Sequence, residues 1–160
     1  MKQLIRIVFA SALFCPVIGM LGSCSEEADC SMVGRPMMNC LVYTLNEMDI
    51  AVRDTLDSLT VTAFGTDSIL VNAQQDVRDV SLPLRYTADS TILVFRYNQQ
   101  TTDTVTVRHT NTPYFLSMDC GYQVTQSLTS VAYTRHHLDS IHIFDNEVGL
   151  YGSTNLQLFY

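Results

Sequence analysis

The sequence predicts an all-β protein, an antiparallel β-sandwich of roughly eight or nine strands that is immunoglobulin-like or of a related Greek-key type. The first observation is a series of short segments, rich in Thr, Val and Ile, in which apolar and polar residues alternate. These segments recur about every ten residues, with turn residues between them. The second observation is the scarcity of helical patterning after residue 23, where no long run places apolar residues at helical spacing.

The first strands can be placed in chain order. Residues 40–45 form the first predicted strand, and the acids in the ambiguous stretch 45–56 indicate a polar excursion that is compatible with one short helical turn. Residues 58–64 and 68–71 flank a Gly65-Thr66-Asp67 turn, so they predict a β-hairpin.

The later strands follow the same pattern. The stretch 72–79, which contains Asp76 and Asp79, is expected to be a loop with solvated carboxylates. Further strands are expected at residues 80–86, 90–97, 102–109, 114–118, 124–133, 140–144 and 155–159. Alternation continues to Tyr160, so the chain is predicted to end in a paired strand, or in an edge strand that accepts a partner.

The N-terminus carries an export pattern. Lys2 and Arg6 precede an apolar run of about 15 residues, which is too short to span a bilayer comfortably. The run ends in Leu21-Gly22-Ser23-Cys24, which resembles the lipobox of bacterial lipoproteins. The resemblance implies cleavage before Cys24 and acylation of its thiol, with palmitate among the acyl chains, so that the protein is held to a membrane. The alternative is an ordinary secretory signal peptide with an incidental cysteine.

Cleavage at that point changes the charge balance. The predicted organisation is a signal peptide at 1–23, an acidic tether at 24–39 and a β-sandwich domain at 40–160. The mature chain holds seven arginines, no lysine and sixteen acidic residues, a formal charge of −9, so nucleic acid is not an expected partner. The run of Glu26, Glu27 and Asp29 resembles the signal that exports some Bacteroidota lipoproteins to the outer surface of the outer membrane. A solvated tether, with the domain facing the periplasm, is the alternative.

Three cysteines remain after Cys15 leaves with the signal peptide and Cys24 is acylated. They are Cys30, Cys40 and Cys120. Export to an oxidising compartment predicts one disulfide and one leftover thiol among them. Cys30 with Cys120 is the preferred pair, because it would join the start of the folded region to a late strand; Cys40 with Cys120 comes second and Cys30 with Cys40 third.

Several short motifs, taken in their order along the chain, resemble one family. They are a Cys-Ser pair near the mature N-terminus, Leu59-Thr60-Val61 with Asp67-Ser68-Ile69, Ser81-Leu82-Pro83-Leu84, Asp89-Ser90 and Cys120-Gly121. Over residues 29–160 the chain is similar to an uncharacterised family of small all-β lipoproteins of the Bacteroidota, a domain of unknown function. The resemblance implies an envelope location and a β-rich fold, and it carries no activity, ligand or catalytic residue to this chain.

Residues with catalytic or metal-binding chemistry are few. His136 and His137 precede a predicted turn and would need Asp139 or His142 to complete a metal site, but solvated histidines are the favoured interpretation. The sequence has no Gly-x-Ser-x-Gly motif, and nothing singles out a nucleophile. We therefore expect no enzyme, no metal and no cofactor, and a hydrolase is the least favoured function.

Tyrosines supply a candidate ligand platform. It consists of Tyr86, Tyr97, Tyr114, Tyr122 and Tyr133, which lie in or beside predicted strands. Core packing is the favoured role for them, and stacking on a glycan is the alternative. The expected function is a noncatalytic structural or protein-binding component of the cell envelope, whose partners are the membrane, through acylated Cys24, and an envelope protein. A surface module that binds glycans or small ligands is the alternative.

Overall fold

A computed structural model describes residues 35–66, 68–98, 100–149 and 152–160. Within these ranges the chain forms strands and no helix, so the prediction of an all-β fold is confirmed. The strands are β1 (Met38–Leu45), β2 (Ala51–Arg53), β3 (Leu56–Ala63), β4 (Ile69–Val77), β5 (Asp79–Leu82), β6 (Ser90–Arg96), β7 (Thr102–Ser117), β8 (Gly121–Tyr133), β9 (Ser140–Ile143), β10 (Glu147–Val148) and β11 (Thr154–Phe159). The described part of the chain therefore contains no helix that is long and apolar enough to cross a membrane.

The strands form two sheets. The first has the order β2-β1-β11-β9, and β5 pairs with β1 as well. In this sheet β1 and β11 are parallel, whereas the other pairs are antiparallel. The second sheet has six strands in the order β10-β8-β7-β6-β3-β4 and is antiparallel throughout.

One hydrophobic core is shared by the two sheets. Successive side chains of a strand point to opposite faces, and alternate residues are accordingly buried in β1, at Met38, Cys40 and Val42. The same alternation buries Leu93 and Phe95 of β6, in the other sheet. These residues belong to a single cluster, so the inner faces of the sheets pack on each other. Full burial of one such side chain stabilises the fold by about 1.5–3 kcal/mol.

The chain crosses from the second sheet to the first at Arg78. β4 ends one residue before it, and β5 begins one residue after it. The Arg78 carbonyl accepts hydrogen bonds from the Val42 amide and the Arg53 guanidinium, each at 3.0 Å. The guanidinium of Arg78 donates to the Thr55 hydroxyl at 3.1 Å. This crossing fixes one end of β4 against β1 of the other sheet.

Two sequence-based expectations in the first half are wrong. The expected loop at 72–79 is mostly β4, an edge strand whose solvent-exposed residues and left-handed backbone at Ala73 and Asp76 hide the strand pattern. The stretch 45–56 holds no helical turn, because its residues turn directly into β2, which pairs with β1.

Two more expectations change in the second half. Residues 102–109 and 114–118 form one strand, β7, since Pro113 is accommodated within the ladder opposite Val124. The prediction of a paired C-terminal strand is confirmed, but the edge-strand alternative is wrong: β11 lies between β1 and β9.

β7 and β8 continue past their neighbours as a two-stranded arm. β6 pairs with β7 only as far as Arg108, and β10 pairs with β8 only at Gln126 and Ser127. Among the described strands, residues 112–125 therefore pair only with each other; we call them the arm. The turn at its tip is followed by Gly121, whose φ of 65° lies in the left-handed region that favours glycine.

Candidate functional site

A buried carboxylate holds the loop at the end of the domain opposite the arm, which we call the distal end. Asp103, near the start of β7, is fully buried. Its Oδ1 accepts hydrogen bonds from the Thr134 hydroxyl at 2.7 Å and the His136 amide at 2.8 Å. Its Oδ2 accepts from the amides of His137 at 2.9 Å and Leu138 at 3.0 Å. One side chain thus fixes the segment that connects β8 to β9.

The hydrogen bonds also set the charge of Asp103. Burial acts to raise its pKa, but the hydrogen bonds from Thr134 and three backbone amides outweigh burial and hold the pKa below its ordinary value of 3.8. His136 Nδ1 lies 3.2 Å from Oδ1 and 2.8 Å from the Thr102 carbonyl oxygen. The carboxylate is ionised at neutral pH and fully engaged, which fits an anchor for the loop.

Aromatic rings pack beside this anchor. The Tyr97 ring lies 4.6 Å from the His137 ring and 5.5 Å from the Tyr160 ring, measured between centroids. The two phenol oxygens are 3.3 Å apart, and burial raises the pKa of both hydroxyls. Tyr160 also joins its amide to the Tyr43 carbonyl at 3.1 Å, so the chain terminus is tied to β1 at the distal end.

The structure gives each candidate metal-binding histidine a different surrounding. His136 contacts Asp103, His137 packs on tyrosines, and the His142 ring lies 5.2 Å from the Phe159 ring. In the ranges that the structure describes, no group of three or more His, Cys, Asp or Glu residues is placed to hold a metal ion.

A second set of polar side chains lies where the arm leaves the sheet. His109 Nε2 lies 2.9 Å from Thr91 Oγ1, and His109 Nδ1 lies 3.2 Å from Asn111 Oδ1. Gln126 Nε2 donates to the same Asn111 oxygen at 2.8 Å. Thr91, His109 and Gln126 are all buried. We call Thr91, His109, Asn111 and Gln126 the base network.

The base network ties the arm to the segment between β5 and β6. Asn111 Nδ2 donates to the carbonyl oxygens of Arg85 at 3.2 Å, Tyr86 at 3.2 Å and Ala88 at 2.6 Å. The Arg85 amide in turn donates to the Thr91 hydroxyl oxygen at 2.9 Å. The root of the arm is therefore fixed by side-chain hydrogen bonds as well as by strand pairing.

The protonation state of His109 follows from its partners. Burial lowers its pKa, and the hydrogen bond to Asn111 and the charge of Asp89 only partly oppose this effect. The amide nitrogen of Asn111 is engaged with carbonyls, so its oxygen accepts the Nδ1 proton, and Nε2 accepts from the Thr91 hydroxyl. A neutral imidazole satisfies every partner, which fits a structural role for this buried Thr-His-Asn chain.

Apolar side chains are displayed at the turn between β1 and β2, which we call the distal turn. It carries Leu45, Met48, Ile50 and Val52, all exposed. Asn46 holds the turn: its Oδ1 accepts from the amides of Met48 and Ile50, each at 2.9 Å, and its own amide donates to the Ile50 carbonyl at 3.0 Å. The exposed side chains therefore project from a fixed backbone.

A second exposed apolar surface lies at the arm tip, formed by Phe115, Met118 and Tyr122. Met118 is 90% exposed and Tyr122 is 74% exposed. The Phe115 and Tyr122 rings pack edge to face, with centroids 5.5 Å apart. No residue of the arm is buried, and Asp119 is its only charged residue.

The chain enters the domain at the end that bears the arm. Met38 of β1 pairs with Leu82 of β5, and the chain after β5 leads directly to Arg85, which contacts the base network. Burial raises the pKa of the Tyr86 hydroxyl, and the nearby charge of Arg35 partly offsets this rise. Arg35, the first described residue, thus lies close to the root of the arm.

The cysteines take separate positions. Cys40 is a free, fully buried thiol of the core, and burial raises its pKa to about 12. Because Cys40 is free, neither of the two pairings that use it is formed in this structure. Cys120 lies in the turn at the arm tip and is not one of the free cysteines. Cys30 falls before the first residue that the structure describes.

The five candidate platform tyrosines do not form one surface. Tyr97 is buried at the distal end, and Tyr133 is half-buried near the same end, with the Arg135 guanidinium 5.6 Å from its ring centre. Tyr86 lies at the root of the arm, and the other two lie on the arm. The strands carry these residues to opposite ends of the domain, so the five tyrosines do not line a common platform.

The predictions for the N-terminus concern residues before Arg35. The signal peptide at 1–23, the lipidation residue Cys24 and the acidic run of Glu26, Glu27 and Asp29 all lie outside the described ranges.

The fold and these surfaces define an all-β domain in which two sheets share one core and a β-arm projects from one end. The chain belongs to the family of unknown function DUF6452, which it matches over residues 58–160. That range includes Asp103, the base network and the arm, and it excludes the distal turn. Searches of curated proteins and of solved structures found no match.

Proposed function

We propose that the protein is a lipid-anchored, noncatalytic component of the bacterial cell envelope, and that its distal turn binds another envelope protein. The sequence Leu21-Gly22-Ser23-Cys24, behind a basic start and an apolar run, supports an anchor at Cys24. The acidic run that follows favours the outer membrane of a member of the Bacteroidota, with the domain on the outer surface.

The distal turn carries the proposal of protein binding. Met48 is 78% exposed, and Asn46 fixes the backbone that presents it. A contiguous set of exposed apolar side chains with polar neighbours is typical of a protein interaction site. A prearranged turn also loses little conformational entropy on binding, and burial of a side chain such as Met48 would contribute about 1.5–3 kcal/mol.

The charges beside the turn indicate the chemistry of the partner. Glu47 and Asp49 flank Met48 and are exposed. We expect the partner to offer an apolar groove with basic residues at its rim, because the acidic rim of the turn would then face charges of opposite sign. Association should become slower as the salt concentration rises.

The anchor is tested by metabolic labelling with palmitate. The intact chain should incorporate label and fractionate with membranes, whereas Cys24→Ala should do neither. A Cys40→Ala variant is the matched control and should label normally, since its thiol is buried in the core. Equal labelling of the intact chain and Cys24→Ala would contradict the proposed anchor.

Protein binding is tested with a photo-crosslinking residue at position 48 in intact cells. One envelope protein should be captured there, and Ile50→Asp in the same chain should abolish the adduct. Position 75, exposed on the edge strand β4, is the control and should give no such adduct. Identical products from positions 48 and 75 would contradict a specific surface at the distal turn.

We also propose that Cys120 forms a disulfide with Cys30. Cys40 is the free thiol, Cys24 is the proposed acylation site, and Cys15 belongs to the predicted signal peptide, so Cys30 remains. Peptide mapping without reduction should recover the two segments as one species. Recovery of Cys30 and Cys120 as separate alkylated thiols from oxidising conditions would overturn the pairing.

A further inference from the structure

We propose that the arm tip lies against the lipid bilayer in which the protein is anchored, with Phe115, Met118 and Tyr122 at the level of the headgroups. The inference rests on the proposed lipid anchor. It goes further, because an anchor at the end of a tether fixes neither the orientation of the domain nor the surface that meets the lipid.

The direction in which the chain enters the domain supports this orientation. Met38, the first residue of β1, pairs with Leu82, after which the chain leads to Tyr86, and the Tyr86 carbonyl accepts a hydrogen bond from Asn111 at the root of the arm. A tether that approaches from the membrane therefore reaches the domain at the end that carries the arm. The distal turn lies at the other end, since Thr44 donates from its hydroxyl to the Tyr160 carbonyl at 3.1 Å.

The reach of the tether agrees with contact at the tip. Eleven residues separate Cys24 from Arg35, and an extended chain of that length spans at most about 40 Å. The arm extends about 17 Å from Thr112 to Ser117 at the rise of a β-strand. The arm can therefore meet the bilayer without strain in the tether.

The proposed disulfide narrows the geometry further. Cys30 and Arg35 are five residues apart, which allows about 17 Å of extended chain, and a disulfide adds about 5.5 Å between Cα atoms. This sum exceeds the length of the arm, so Cys30 is within reach of Cys120. The acylated Cys24 would then lie within about 27 Å of Cys120, because six residue steps allow about 21 Å and the disulfide adds about 5.5 Å.

The composition of the arm suits the lipid interface. Tyrosine is favoured where apolar chains meet headgroups, since its ring can enter the apolar layer while its hydroxyl stays hydrated, and phenylalanine adds apolar surface. Phe115 and Tyr122 form an exposed aromatic pair, and Met118 projects beyond them. Asp119 is the only charge in residues 112–125, whereas the mature chain carries seven arginines and sixteen acids. The arm therefore carries a single acidic residue, so its repulsion by anionic lipids is weak.

The absence of tryptophan from the sequence allows a direct test. We would place single tryptophans in the mature, acylated protein, at the arm tip by Tyr122→Trp or Met118→Trp, and at the distal turn by Met48→Trp. Tyr122 and Met48 are matched in exposure, at 74% and 78%. Each protein is reconstituted in vesicles of phosphatidylethanolamine and phosphatidylcholine that contain brominated phosphatidylcholine, which quenches nearby indoles.

We expect the fluorescence emission of both arm-tip tryptophans to shift to shorter wavelength and to be quenched in brominated vesicles. The emission of the tryptophan at position 48 should be unaffected. If all three proteins float with the vesicles but none is quenched, contact of the arm with lipid is wrong and the anchor stands. Quenching at all three positions would overturn the proposed orientation, in which the arm tip meets the bilayer and the distal turn points away from it. If the proteins do not float with the vesicles, the lipid anchor itself fails, and the present inference fails with it.

Discussion

The distal end and the arm are built on the same strand, β7, and they are stabilised in opposite ways. At its start β7 places Asp103, Val105 and Val107 inside, so packing and buried hydrogen bonds hold the distal end. Beyond the base network the same strand buries nothing and is held by pairing with β8 alone. A two-stranded ribbon by itself is only marginally stable in water. The buried residues at the start of β7 therefore stabilise the core, whereas the arm contributes no buried side chain to it.

The base network marks the boundary between the two regions. His109 and Gln126 are the last buried side chains before the arm on β7 and β8, and Asn111 joins them. Asn111 of the network also donates to three carbonyl oxygens of the segment between β5 and β6. These hydrogen bonds hold the root of the arm, so motion of the arm need not disturb the core.

The largest effect is expected from removing the C-terminal strand. Deletion of residues 155–160 takes away the strand between β1 and β9, together with the buried side chains of Leu156 and Leu158. We expect loss of cooperative thermal unfolding, measured by far-ultraviolet circular dichroism. A truncated chain that melts at the temperature of the intact protein would show that the distal end is not essential for folding.

A smaller but substantial loss is expected from Asp103→Ala. The change leaves four donors around a buried site without their acceptor, and we expect the free energy of unfolding to fall by about 3 kcal/mol. Urea denaturation measures this value. Asp139→Ala is the matched control on the same connecting segment, and its exposed carboxylate should contribute little.

The Asp103 carboxylate should also contribute to the fall in the free energy of unfolding at low pH. Its folded pKa lies below 3.8, so its contribution is fully present above that pH and is lost as the pH falls through the folded pKa. Asp103→Asn should therefore flatten the fall in stability between pH 4 and pH 2. If stability falls as steeply between pH 4 and pH 2 in Asp103→Asn as in the unchanged protein, the proposed contribution of the Asp103 carboxylate is wrong.

The fold could be predicted from the sequence better than Asp103 and the base network could. Alternation of Thr, Val and Ile predicted the core strands, because burial on one face leaves a period of two. It failed at β4, where an exposed edge has no apolar face and left-handed residues interrupt the period. The alternation also predicted two strands where β7 is one, because Pro113 interrupts the pattern. Pro113 is tolerated because its neighbours pair with β8, and the residues around it in the sequence do not show this pairing.

Asp103 and the base network were missed, although a signal existed. In the sequence from Asp103 to His109 every second residue belongs to one face, and Val105 and Val107 identify that face as the buried one. A polar residue at each end of a buried stripe predicts partners in the interior. Which partners they are depends on residues more than 15 positions away, such as Thr134 and Thr91, so spacing alone cannot identify them.

A moderate, pH-dependent effect is expected at the boundary. The folded pKa of His109 is below 6.5, so the unfolded chain binds more protons as the pH falls below that value, and stability decreases there. One such group contributes a slope of at most about 1.4 kcal/mol per pH unit. His109→Gln should remove this part of the slope between pH 7 and pH 5, measured by urea denaturation at each pH. His142→Gln, at an exposed position outside the base network, is the control for substitution of a histidine.

The smallest effect is expected from removing the arm itself. Residues 112–125 are replaced by Asn-Gly, which favours the tight turn needed to join Asn111 to Gln126. Both this protein and its reference carry Cys30→Ser, so that loss of the proposed disulfide does not enter the comparison. Because the arm buries no side chain, the free energy of unfolding should change by less than about 1 kcal/mol. A loss as large as that of Asp103→Ala would mean that the arm supports the core, and the division of β7 into a folding region and a contact region would be wrong.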